Sequence, residues 1–556
     1  MPSLDELYRA AIRAHQTGHT RDAARLYDDI LARKPDHAGA LHLKGVLALQ
    51  AGDYDTAVNL IERSLKIEPR HGLALMNLGV AYRALKRYEE AIAVLRKAVA
   101  LEPNSADAWG NLGQTLARSG QIREAVASNT RALDLDPSKL GLQSSLLFAQ
   151  NYLAESDPFE AADRARAVGK LIAQKVPART THPNETNPDR KLRLGLLSAD
   201  LRAHPIGRFL SAVLREIDPS KIELFAYSNS EEDDAVTADI RASIPHWLNV
   251  HGMSDRDLDA RIVADRIDIL GDISGHTGGN RLMVCARKPA PVSFTWLGYF
   301  ATTGLTAIDY VLANKWVIPE AEEPQWSETP WRLPDTYLCY AVPRDALPPT
   351  PLPAIASGHI TFGCFNNFNK LTDATLSAWS ALLTAVPNSR LILRSSGLYH
   401  DEILAGLRKS LTTAGIDLAR VRIDGKIADY AVHLRSYGEI DIALDPFPYN
   451  GGTTTVEALY MGVPVLVRTG DRYVAHMGES ILHNAGLPEW IATDEADYAV
   501  RGTRLASDFD ALAALREGLR PRMLASPLFD APRFARNLEG AFRGMWATWC
   551  AAQRRA

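Results

Sequence analysis

Apolar residues in the first third of the chain recur at three- and four-residue spacing, which is the spacing of one face of a helix. The stripe formed by Leu75, Leu78 and Tyr82 is repeated 34 residues later. Further columns keep the same step, namely Ala23, Ala57, Ala91 and Ala125, then Gly45, Gly79 and Gly113, and finally Pro35, Pro69, Pro103 and Pro137. Small residues allow helices to touch closely, and proline ends a helix. The pattern therefore predicts four pairs of antiparallel helices over residues 4–137.

This repeat domain is predicted to occupy residues 1–137, and it resembles the tetratricopeptide repeat, whose period is also 34 residues. Residues 138–189 are predicted to hold capping helices and then a linker, because residues 177–190 are rich in Pro, Thr and Asn. Stacked repeats form an α-solenoid with a concave surface that binds extended peptides. We therefore expect protein or peptide partners along that surface.

The pattern changes from residue 190 onward, where short apolar runs alternate with longer amphipathic segments. The runs that we predict as buried strands are 191–200, 222–229, 267–274, 291–298 and 308–314, followed by 359–365, 390–396, 421–425, 439–446, 463–470 and 489–494. Such alternation is typical of parallel, doubly wound sheets. We predict two Rossmann-like α/β domains, residues 190–345 and 359–556, joined by a Pro-rich linker at 346–358. A ligand cleft is expected at the carboxyl ends of their strands.

A turn rich in glycine and threonine follows one predicted strand, in the segment DIALDPFPYNGGTTTVEALYMGVPVLV at residues 441–467. The strand is predicted to end at Asp445, and Gly451 and Gly452 allow the backbone to approach a ligand closely. The threonines at 453–455 open the next helix, and we predict that they cap it and leave its N–H groups pointing outward. Because a helix N-terminus of this kind binds phosphate, the segment predicts a diphosphate site. A helix that is merely well capped is the structural alternative.

A second polar loop, which reads FNNFNK, follows another predicted strand. It carries Asn366, Asn367 and Lys370, and the helix after it is predicted to be capped by Thr372 or Asp373. Lys370 is placed to reach the same diphosphate, where a positive charge stabilises the negative charge that grows on a departing phosphate when no metal is used. The alternative is a surface lysine near a helix start, where its charge would oppose the helix dipole.

Two other residues are candidates for contacts with a substrate. Glu457 lies one turn into the helix that opens at Thr453, near where a ribose hydroxyl can meet a carboxylate. His204 follows the first predicted strand, so we expect it to face the cleft between the domains, as a general base or as a ligand for a polar group. A structural histidine is the alternative. The D-x-D strings at residues 255–259 are predicted to be solvated helix surface.

Composition and charge narrow the functional classes. The 556 residues are 46% hydrophobic and 23% charged, with a formal net charge of −4, so we predict neither a nucleic-acid partner nor a membrane span. The four cysteines lie far apart, so no zinc site or disulfide framework is implied, and we expect no metal. The polar N-terminus favours a reduced, cytoplasmic location. Dehydrogenase and P-loop functions lack their glycine-rich motifs.

Several stretches, taken together, resemble the protein O-GlcNAc transferases. They are AHPIG (203–207), GHTGGNRL (275–282), KPAPVSFTWLGY (288–299), FNNFNK (365–370), LDPFPYNGGTTTVEALYMGVP (444–464) and SPLFDAPRFARNLEGAFRGMW (526–546). The resemblance covers essentially the whole chain. It implies tetratricopeptide repeats followed by a two-lobed α/β GT-B fold. It further implies an inverting, metal-independent enzyme that moves GlcNAc from UDP-GlcNAc to Ser or Thr hydroxyls of proteins without a cofactor.

The resemblance also implies roles for individual residues. His204 takes the place of the active-site histidine, and Lys370 that of the lysine at the β-phosphate. The donor-binding residues, from the resemblance and the loop patterns together, are Leu297, Gly298, Asn366, Asn367, His433, Gly451, Gly452, Thr453, Thr454 and Glu457. Asn77 and Asn111, at matching repeat positions, take the place of asparagines that bind the acceptor backbone. Solvation of a helix surface is the alternative for these two asparagines.

The chain departs from the animal members of that family at two donor positions. Tyr430 stands where they carry a lysine, and Gly452 stands where they carry a histidine. We expect the base to be read by backbone groups near residues 425–430. The stretches LDPFPYNGGTTT and GHTGGNRL also resemble the SPINDLY-type protein O-fucosyltransferases, so GDP-fucose is an alternative donor. A repeat scaffold with an inactive, nucleotide-binding transferase fold is a third hypothesis.

Overall fold

The computed structural model describes residues 2–342, 347–395, 397–425 and 429–555. The chain divides into two compact units, Met1–Ala149 and Gln150–Ala556. The described part of the first unit is helical, whereas the second unit contains two parallel sheets with helices between the strands. The boundary between the units falls inside the segment 138–189, where we predicted capping helices and a linker.

The first unit contains the predicted pairs of antiparallel helices. Its helices are α1 (Leu4–Gln16), α2 (Thr20–Arg33), α3 (Ala38–Gln50), α4 (Tyr54–Ile67), α5 (Gly72–Ala84), α6 (Tyr88–Leu101), α7 (Ala106–Arg118), α8 (Ile122–Leu135) and α9 (Leu140–Gln150), the last of which ends at the boundary. The helices α2, α4, α6 and α8 each end two residues before a repeat proline. The sequence period therefore predicted both the pairing and the helix ends.

The repeat glycines lie where the two helices of a pair touch. A Cβ atom on Gly79 would lie 2.5 Å from Cγ of Leu95, and one on Gly45 would lie 2.6 Å from Cγ1 of Ile61. Distances this short are not tolerated between carbon atoms, so a larger side chain would push the helices apart. This confirms the interpretation of the small residues as points of close helix contact.

The second unit begins with a lobe built around a seven-stranded sheet, which we call the first lobe. Its strands are β1 (Leu192–Ser198), β2 (Ile222–Ser228), β3 (His246–Asn249), β4 (Ile269–Asp272), β5 (Val292–Thr295), β6 (Tyr310–Ala313) and β7 (Thr329–Arg332). Its helices are α10 (Pro158–Lys175), α11 (Pro205–Glu216), α12 (Ala235–Arg241), α13 (Asp255–Ala264) and α14 (Leu282–Ala286). All pairings are parallel, in the order β3-β2-β1-β4-β5-β6-β7.

The second lobe is built around a six-stranded parallel sheet. Its strands are β8 (Thr361–Cys364), β9 (Arg390–Arg394), β10 (Val421–Asp424), β11 (Ile442–Leu444), β12 (Val465–Arg468) and β13 (Ile491–Ala492), in the order β10-β9-β8-β11-β12-β13. Its helices are α15 (Pro353–Ser357), α16 (Asp373–Ala385), α17 (Asp401–Thr413), α18 (Tyr430–Ser436), α19 (Thr453–Tyr460), α20 (Tyr473–Asn484), α21 (Glu495–Ala506), α22 (Phe509–Leu524) and α23 (Ala531–Gln553). This confirms the predicted pair of doubly wound sheets.

Strand order in both sheets reverses at one point, between β1 and β4 in the first lobe and between β8 and β11 in the second. Connections leave in opposite directions there, so a crevice opens at the carboxyl ends of the two strands. The loops that carry the candidate residues of the second lobe follow β8 and β11 directly. The topology thus brings together two loops that lie about 80 residues apart in sequence.

Two edge strands were not predicted from the sequence. The strand β3 has exposed ends, and β7 contains Pro330. Both lie at or beside an edge of the first sheet, where one neighbour is missing and a continuous apolar run is not required. The pattern of buried runs therefore missed them.

The segment that we predicted to be a linker is held to the first lobe by ion pairs. Arg179 pairs with Asp259, and Arg190 pairs with Asp268. Asp259 is buried, so the prediction that residues 255–259 are solvated surface is wrong for that residue. A carboxylate on a charged helix is buried here because an arginine from a distant segment neutralises it.

The last helix, α23, leaves the second lobe and packs on the first. Phe534 stacks on Trp296, and Phe542 packs against Phe294 of β5. We had placed this helix with the domain at 359–556, because sequence order alone does not show which sheet a terminal helix covers.

Among the described residues, no helix combines the length and apolar character of a membrane span. The four cysteines are buried and free.

Candidate functional site

The loops after β8 and β11 meet through a hydrogen bond between Asn366 and Asp445. The Nδ2 atom of Asn366 donates to Oδ1 of Asp445 over 3.1 Å, and both residues are buried. Asp445 also accepts from the N–H of Gly451, at 2.8 Å, and from the hydroxyl of Thr455, at 3.2 Å. Burial raises the pKa of Asp445 to about 6, although these hydrogen bonds and the charge of Lys370 oppose the rise.

Lys370 ends a short 3-10 turn, Phe368–Lys370, and its ammonium group points into this crevice. The Nζ atom donates to the backbone oxygen of Asn450 over 2.7 Å and to Oδ1 of Asn366 over 3.3 Å. It also lies 4.2 Å from the centre of the Tyr449 ring. Burial lowers the pKa of Lys370 to about 8, while the charge of Asp445 acts in the opposite direction. The interpretation of Lys370 as a surface lysine is therefore excluded.

The N-terminus of α19 differs from the prediction in one respect. Its N-cap residue is Gly452, and no described side chain caps the helix. The hydroxyl of Thr454 donates to Oδ1 of Asn366 over 3.0 Å, and Thr455 donates to Asp445. The prediction that the threonines cap the helix is wrong, because these hydroxyls bind the neighbouring loops instead. Without a cap, the first N–H groups of the helix keep their capacity to bind an anion.

Close packing explains the glycine at position 451. A Cβ atom there would lie 2.4 Å from Oγ1 of Thr455 and 2.7 Å from Oδ1 of Asp445. Asn367 lies at the edge of this region, where it is exposed and accepts from the N–H of Asn369. The structure therefore brings together Lys370, Asn366, Thr454 and Gly451, but it does not aim the side chain of Asn367 at them.

Glu457 is the centre of a buried hydrogen-bond cluster next to this site. Its Oε1 atom accepts from the hydroxyls of Tyr340, at 2.7 Å, and Tyr430, at 2.8 Å. Its Oε2 atom lies 3.0 Å from Nε2 of His433. The Nδ1 atom of His433 is buried and has no partner among the described atoms. Glu457 is therefore oriented by three side chains, of which Tyr340 was not predicted because its segment has no local motif.

The first lobe reaches this cluster through α11. The guanidinium carbon of Arg208 lies 3.6 Å from the centre of the Tyr430 ring, and Phe209 packs edge-on against Tyr340. His204 is the N-cap residue of α11, and its Nδ1 atom accepts from the N–H of Ile206 over 3.4 Å. Helix α11 thus connects the loop after β1 to the second lobe.

His204 is partly exposed, with 38% of its side chain accessible to solvent. Burial of the rest lowers its pKa, with Asp200 acting against this shift and Arg202 adding to it. Nδ1 of His204 is therefore occupied within α11, and Nε2 is the ring nitrogen that Ile206 does not use.

A strained turn follows β5 at the predicted sugar-side loop. Leu297 has a φ angle of 65°, which is unfavourable for a residue other than glycine. The N–H of Gly298 donates to the oxygen of Trp296 over 2.8 Å, and a Cβ atom on Gly298 would lie 2.2 Å from the oxygen of Ile273. The turn therefore passes tightly against the loop after β4, which explains the glycine.

The two candidate acceptor residues lie in the first unit, on α5 and α7. The Nδ2 atom of Asn77 is 3.0 Å from Nε2 of His42, and Arg83 donates to Oδ1 of Asn111 over 3.3 Å. In both cases the partner belongs to the preceding repeat. These asparagines are half-buried links between repeats, so they are not simply solvated surface.

Part of the predicted base-reading segment, residues 426–428, lies outside the described residues. Within the described ranges, no group of three or more His, Cys, Asp or Glu side chains is arranged to hold a metal ion. Sequence reasoning treated Asp445 only as a strand end and did not predict Tyr340 or Arg208 as site residues. A carboxylate directly after a central strand was the available signal for Asp445.

Two known families match the chain. Glycosyl transferase family 41 matches residues 166–341 and 352–538. Tetratricopeptide repeat families match residues 8–63, 42–106 and 82–140. The first match covers most of the two-lobed unit, and the others cover the helical repeats.

Individual relatives agree with these matches. An Arabidopsis thaliana protein named probable UDP-N-acetylglucosamine--peptide N-acetylglucosaminyltransferase SPINDLY is 36% identical over 408 residues, which are 73% of this chain and 45% of that protein. A second A. thaliana protein, whose name differs only in ending with SEC, is 29% identical over 379 residues, which are 66% of this chain and 38% of that protein. The matched region thus spans less than half of these plant relatives. The solved structure of a mutant of Thermobaculum terrenum O-GlcNAc transferase is similar with a TM-score of 0.79 and 32% identity, over 100% of both chains.

Proposed function

Because the chain belongs to glycosyl transferase family 41, we propose that it transfers GlcNAc from UDP-GlcNAc to Ser or Thr hydroxyls of proteins. The observation that carries this proposal is the position of Lys370. Its ammonium group lies against Asn450 and Asn366, beside the uncapped N-terminus of α19. A cation and free helix N–H groups at one point form a site for a diphosphate. The names of the relatives support the sugar and the acceptor class.

In the proposed reaction, the acceptor oxygen forms a bond to the anomeric carbon of the sugar. The bond between that carbon and the β-phosphate oxygen breaks, and the acceptor proton is released. UDP leaves with both electrons of the broken bond, so negative charge grows on the β-phosphate. Lys370 and the start of α19, with Thr453 and Thr454, stabilise that charge. Because this cation and these dipoles serve the purpose of a metal ion, we propose that no metal or other cofactor takes part.

His204, Leu297 and Gly298 lie in the first lobe, and we propose that they contact the sugar or the acceptor. The possible roles of His204 are a general base and a ligand for a polar group. Because its Nδ1 atom accepts from the N–H of Ile206, we propose that its other ring nitrogen meets the substrate. Glu457 and His433, together with the backbone near residues 425–430, are proposed to bind the nucleoside. Asn366, Asn367, Gly451 and Gly452 complete the proposed donor site.

The helical repeats are proposed to hold the acceptor protein. Asn77 and Asn111 present polar groups on successive repeats, and stacked repeats bind extended chains along one face. The cytoplasmic location stays a prediction.

One observation favours a second donor, GDP-fucose. The identity to the plant relative named SPINDLY, 36%, exceeds the identity to the one named SEC, 29%. The sequence stretches around the diphosphate site also resemble SPINDLY-type O-fucosyltransferases. Calorimetric titration with UDP and GDP separates the two donors, because a pocket that hydrogen-bonds one base leaves buried polar groups unpaired with the other. Binding of GDP without binding of UDP would overturn the choice of UDP-GlcNAc.

The decisive experiment measures sugar transfer to a protein acceptor from a panel of UDP- and GDP-sugars. We expect transfer from UDP-GlcNAc, and a loss of about 100-fold in rate for Lys370→Ala, the cost of removing one oriented charge at the leaving group. Lys409→Ala, which removes an exposed lysine of α17, is the matched control and should keep full rate.

Transfer should survive EDTA. Nucleotide binding without transfer from any donor would support the inactive scaffold instead.

A further inference from the structure

The carboxylate of Asp445 is hydrogen-bonded to three segments of the proposed diphosphate site. It is 1% exposed, and it accepts from Asn366, from the N–H of Gly451 and from Thr455. These partners belong to three segments, namely the loop after β8, the turn before α19 and the first turn of α19. A single buried group therefore fixes the relative position of all three segments.

The chemistry of a carboxylate also sets the orientation of Asn366. An ionised carboxylate only accepts hydrogen bonds, so the amide of Asn366 must turn its NH₂ group toward Asp445. Its oxygen then faces the other way, where it accepts from Lys370, at 3.3 Å, and from Thr454, at 3.0 Å. The opposite amide orientation would place NH₂ against the ammonium group of Lys370.

We propose that Asp445 is a positioning residue for glycosyl transfer, which orients Asn366 toward Lys370 and Thr454 and supplies the negative charge opposite the Lys370 ammonium group. This inference rests on the function proposed above, because it assigns Lys370 to the leaving group. Asp445 acts through Asn366 and Lys370 and does not touch the donor.

The charges around Lys370 agree with this role. Burial lowers its pKa to about 8, and Asp445 is the carboxylate that opposes this shift, with a smaller contribution from the Cys364 thiol. The other ionisable groups that face Asp445 are the hydroxyls of Tyr337, Tyr437 and Tyr498, all with pKa values raised by burial. These hydroxyls are uncharged at neutral pH, so they do not replace Asp445 as a counter-charge.

The first lobe provides a matched control at the same position of its own sheet. Asp272 ends β4, as Asp445 follows β11, and it is equally buried. It accepts from the N–H groups of Ser274 and Gly275 and from the hydroxyl of Thr295. Burial raises its pKa to about 6 as well. Asp272 differs from Asp445 in having no lysine among the charges that shift its pKa.

The test measures the pKa of Lys370 directly in the full chain, without any donor. The rate at which a small acylating reagent modifies Lys370 is followed against pH by mass spectrometry. We expect half-maximal reactivity near pH 8 in the wild type. In Asp445→Asn the pH of half-maximal reactivity should fall by at least about one unit, because Lys370 loses an opposite charge. Asp272→Asn should leave this pH unchanged. An unchanged Lys370 pKa in folded Asp445→Asn, or an equal shift in Asp272→Asn, would overturn the proposal.

A second variant keeps the proposal testable if Asp445→Asn does not fold. Asn366→Ala removes the oriented amide but leaves the carboxylate. We expect kcat to fall roughly tenfold, as for one lost hydrogen bond to a charged group. Asn366→Ala with wild-type kcat would contradict the orienting role. Because the acylation measurement needs no substrate, it tests the placement of Asp445 against Lys370 separately from the proposed function. A wild type that transfers no sugar but shows the expected shift in Asp445→Asn would refute the proposed function and keep only that placement.

Discussion

The guanidinium group of Arg208 lies 3.6 Å above the ring of Tyr430, and this stacking joins the first lobe to the second at the candidate nucleoside site. Tyr430 in turn donates to Glu457. The contact therefore links the first lobe to the side chain that orients a carboxylate, Glu457, which we propose to bind the donor.

Replacing Arg208 by Ala should raise the KM for the donor more than it lowers kcat. A cation–π contact of this kind contributes about 0.5 to 2 kcal/mol, which corresponds to roughly two- to thirtyfold in affinity. Steady-state kinetics with varied donor concentration measures the effect. Arg215→Ala, on the same helix but paired with Asp239, is the control and should behave as wild type. Equal donor KM values for the two variants would contradict the proposed coupling.

Sugar transfer should fail above about pH 8 because Lys370 loses its charge there. Its pKa is lowered by burial from the ordinary value of a lysine, so the cation is present below that pH and absent above it. The profile of kcat/KM against pH in the free enzyme reports this value. The arginine of Lys370→Arg keeps its charge over the whole pH range. The kcat/KM of this variant should therefore not fall at alkaline pH, whatever its absolute rate. A wild-type profile that stays flat to pH 10 would refute this assignment.

A protonated histidine joins the lobes at a second place. The Nε2 atom of His476 in α20 lies 2.9 Å from Oε1 of Glu322 in the first lobe, and its Nδ1 lies 2.6 Å from Oε2 of Glu479. Burial lowers the pKa of His476, but the hydrogen bonds that its ring donates to these carboxylates, together with their charges, raise it to about 9. Each ring nitrogen of His476 faces a carboxylate, and a carboxylate only accepts hydrogen bonds, so both nitrogens must be protonated.

Because the pKa is higher in the folded protein than in the unfolded chain, this imidazolium stabilises the fold fully below about pH 6.5. The stabilisation should disappear as the pH rises through about 9. Denaturant unfolding should therefore show that His476→Gln costs about 3 kcal/mol at pH 6, as for a broken buried pair, and much less at pH 10. His359→Gln is the control, since the ring of His359 lies against a backbone oxygen, that of Ser357, and not between two carboxylates. A pH-independent cost would show that packing, and not charge, explains the effect.

The double substitution of Asn77 and Asn111 by Ala should reduce glycosylation of a protein acceptor and leave donor hydrolysis unchanged. The two side chains lie in a separate unit from the proposed donor site. A several-fold rise in acceptor KM is expected, since each lost neutral hydrogen bond costs about 1 kcal/mol. Asn129→Ala, in the outer helix α8, is the control for changes in stability of the repeats. If donor hydrolysis falls in parallel with protein glycosylation, the division of roles is incorrect.

The sequence by itself determined the elements and their order. The 34-residue period predicted helices α1 to α8 and the prolines that follow each pair, because a helix contact needs small residues at fixed positions. Apolar runs likewise predicted the central strands, which are buried on both faces. The sequence also singled out Lys370 and the turn before α19, since glycines and a lysine after strands are local features of the chain.

Tertiary structure alone decided how these groups work together. The hydroxyl of Thr454 binds Asn366, which lies 88 residues away on the loop after β8, and the hydroxyl of Thr455 binds Asp445, so neither caps its helix. Tyr340 and Arg208 join the site through contacts between distant segments that no local pattern encodes. The depressed pKa of Lys370 also depends on burial, and burial is a property of the assembled lobes and not of the sequence around the residue.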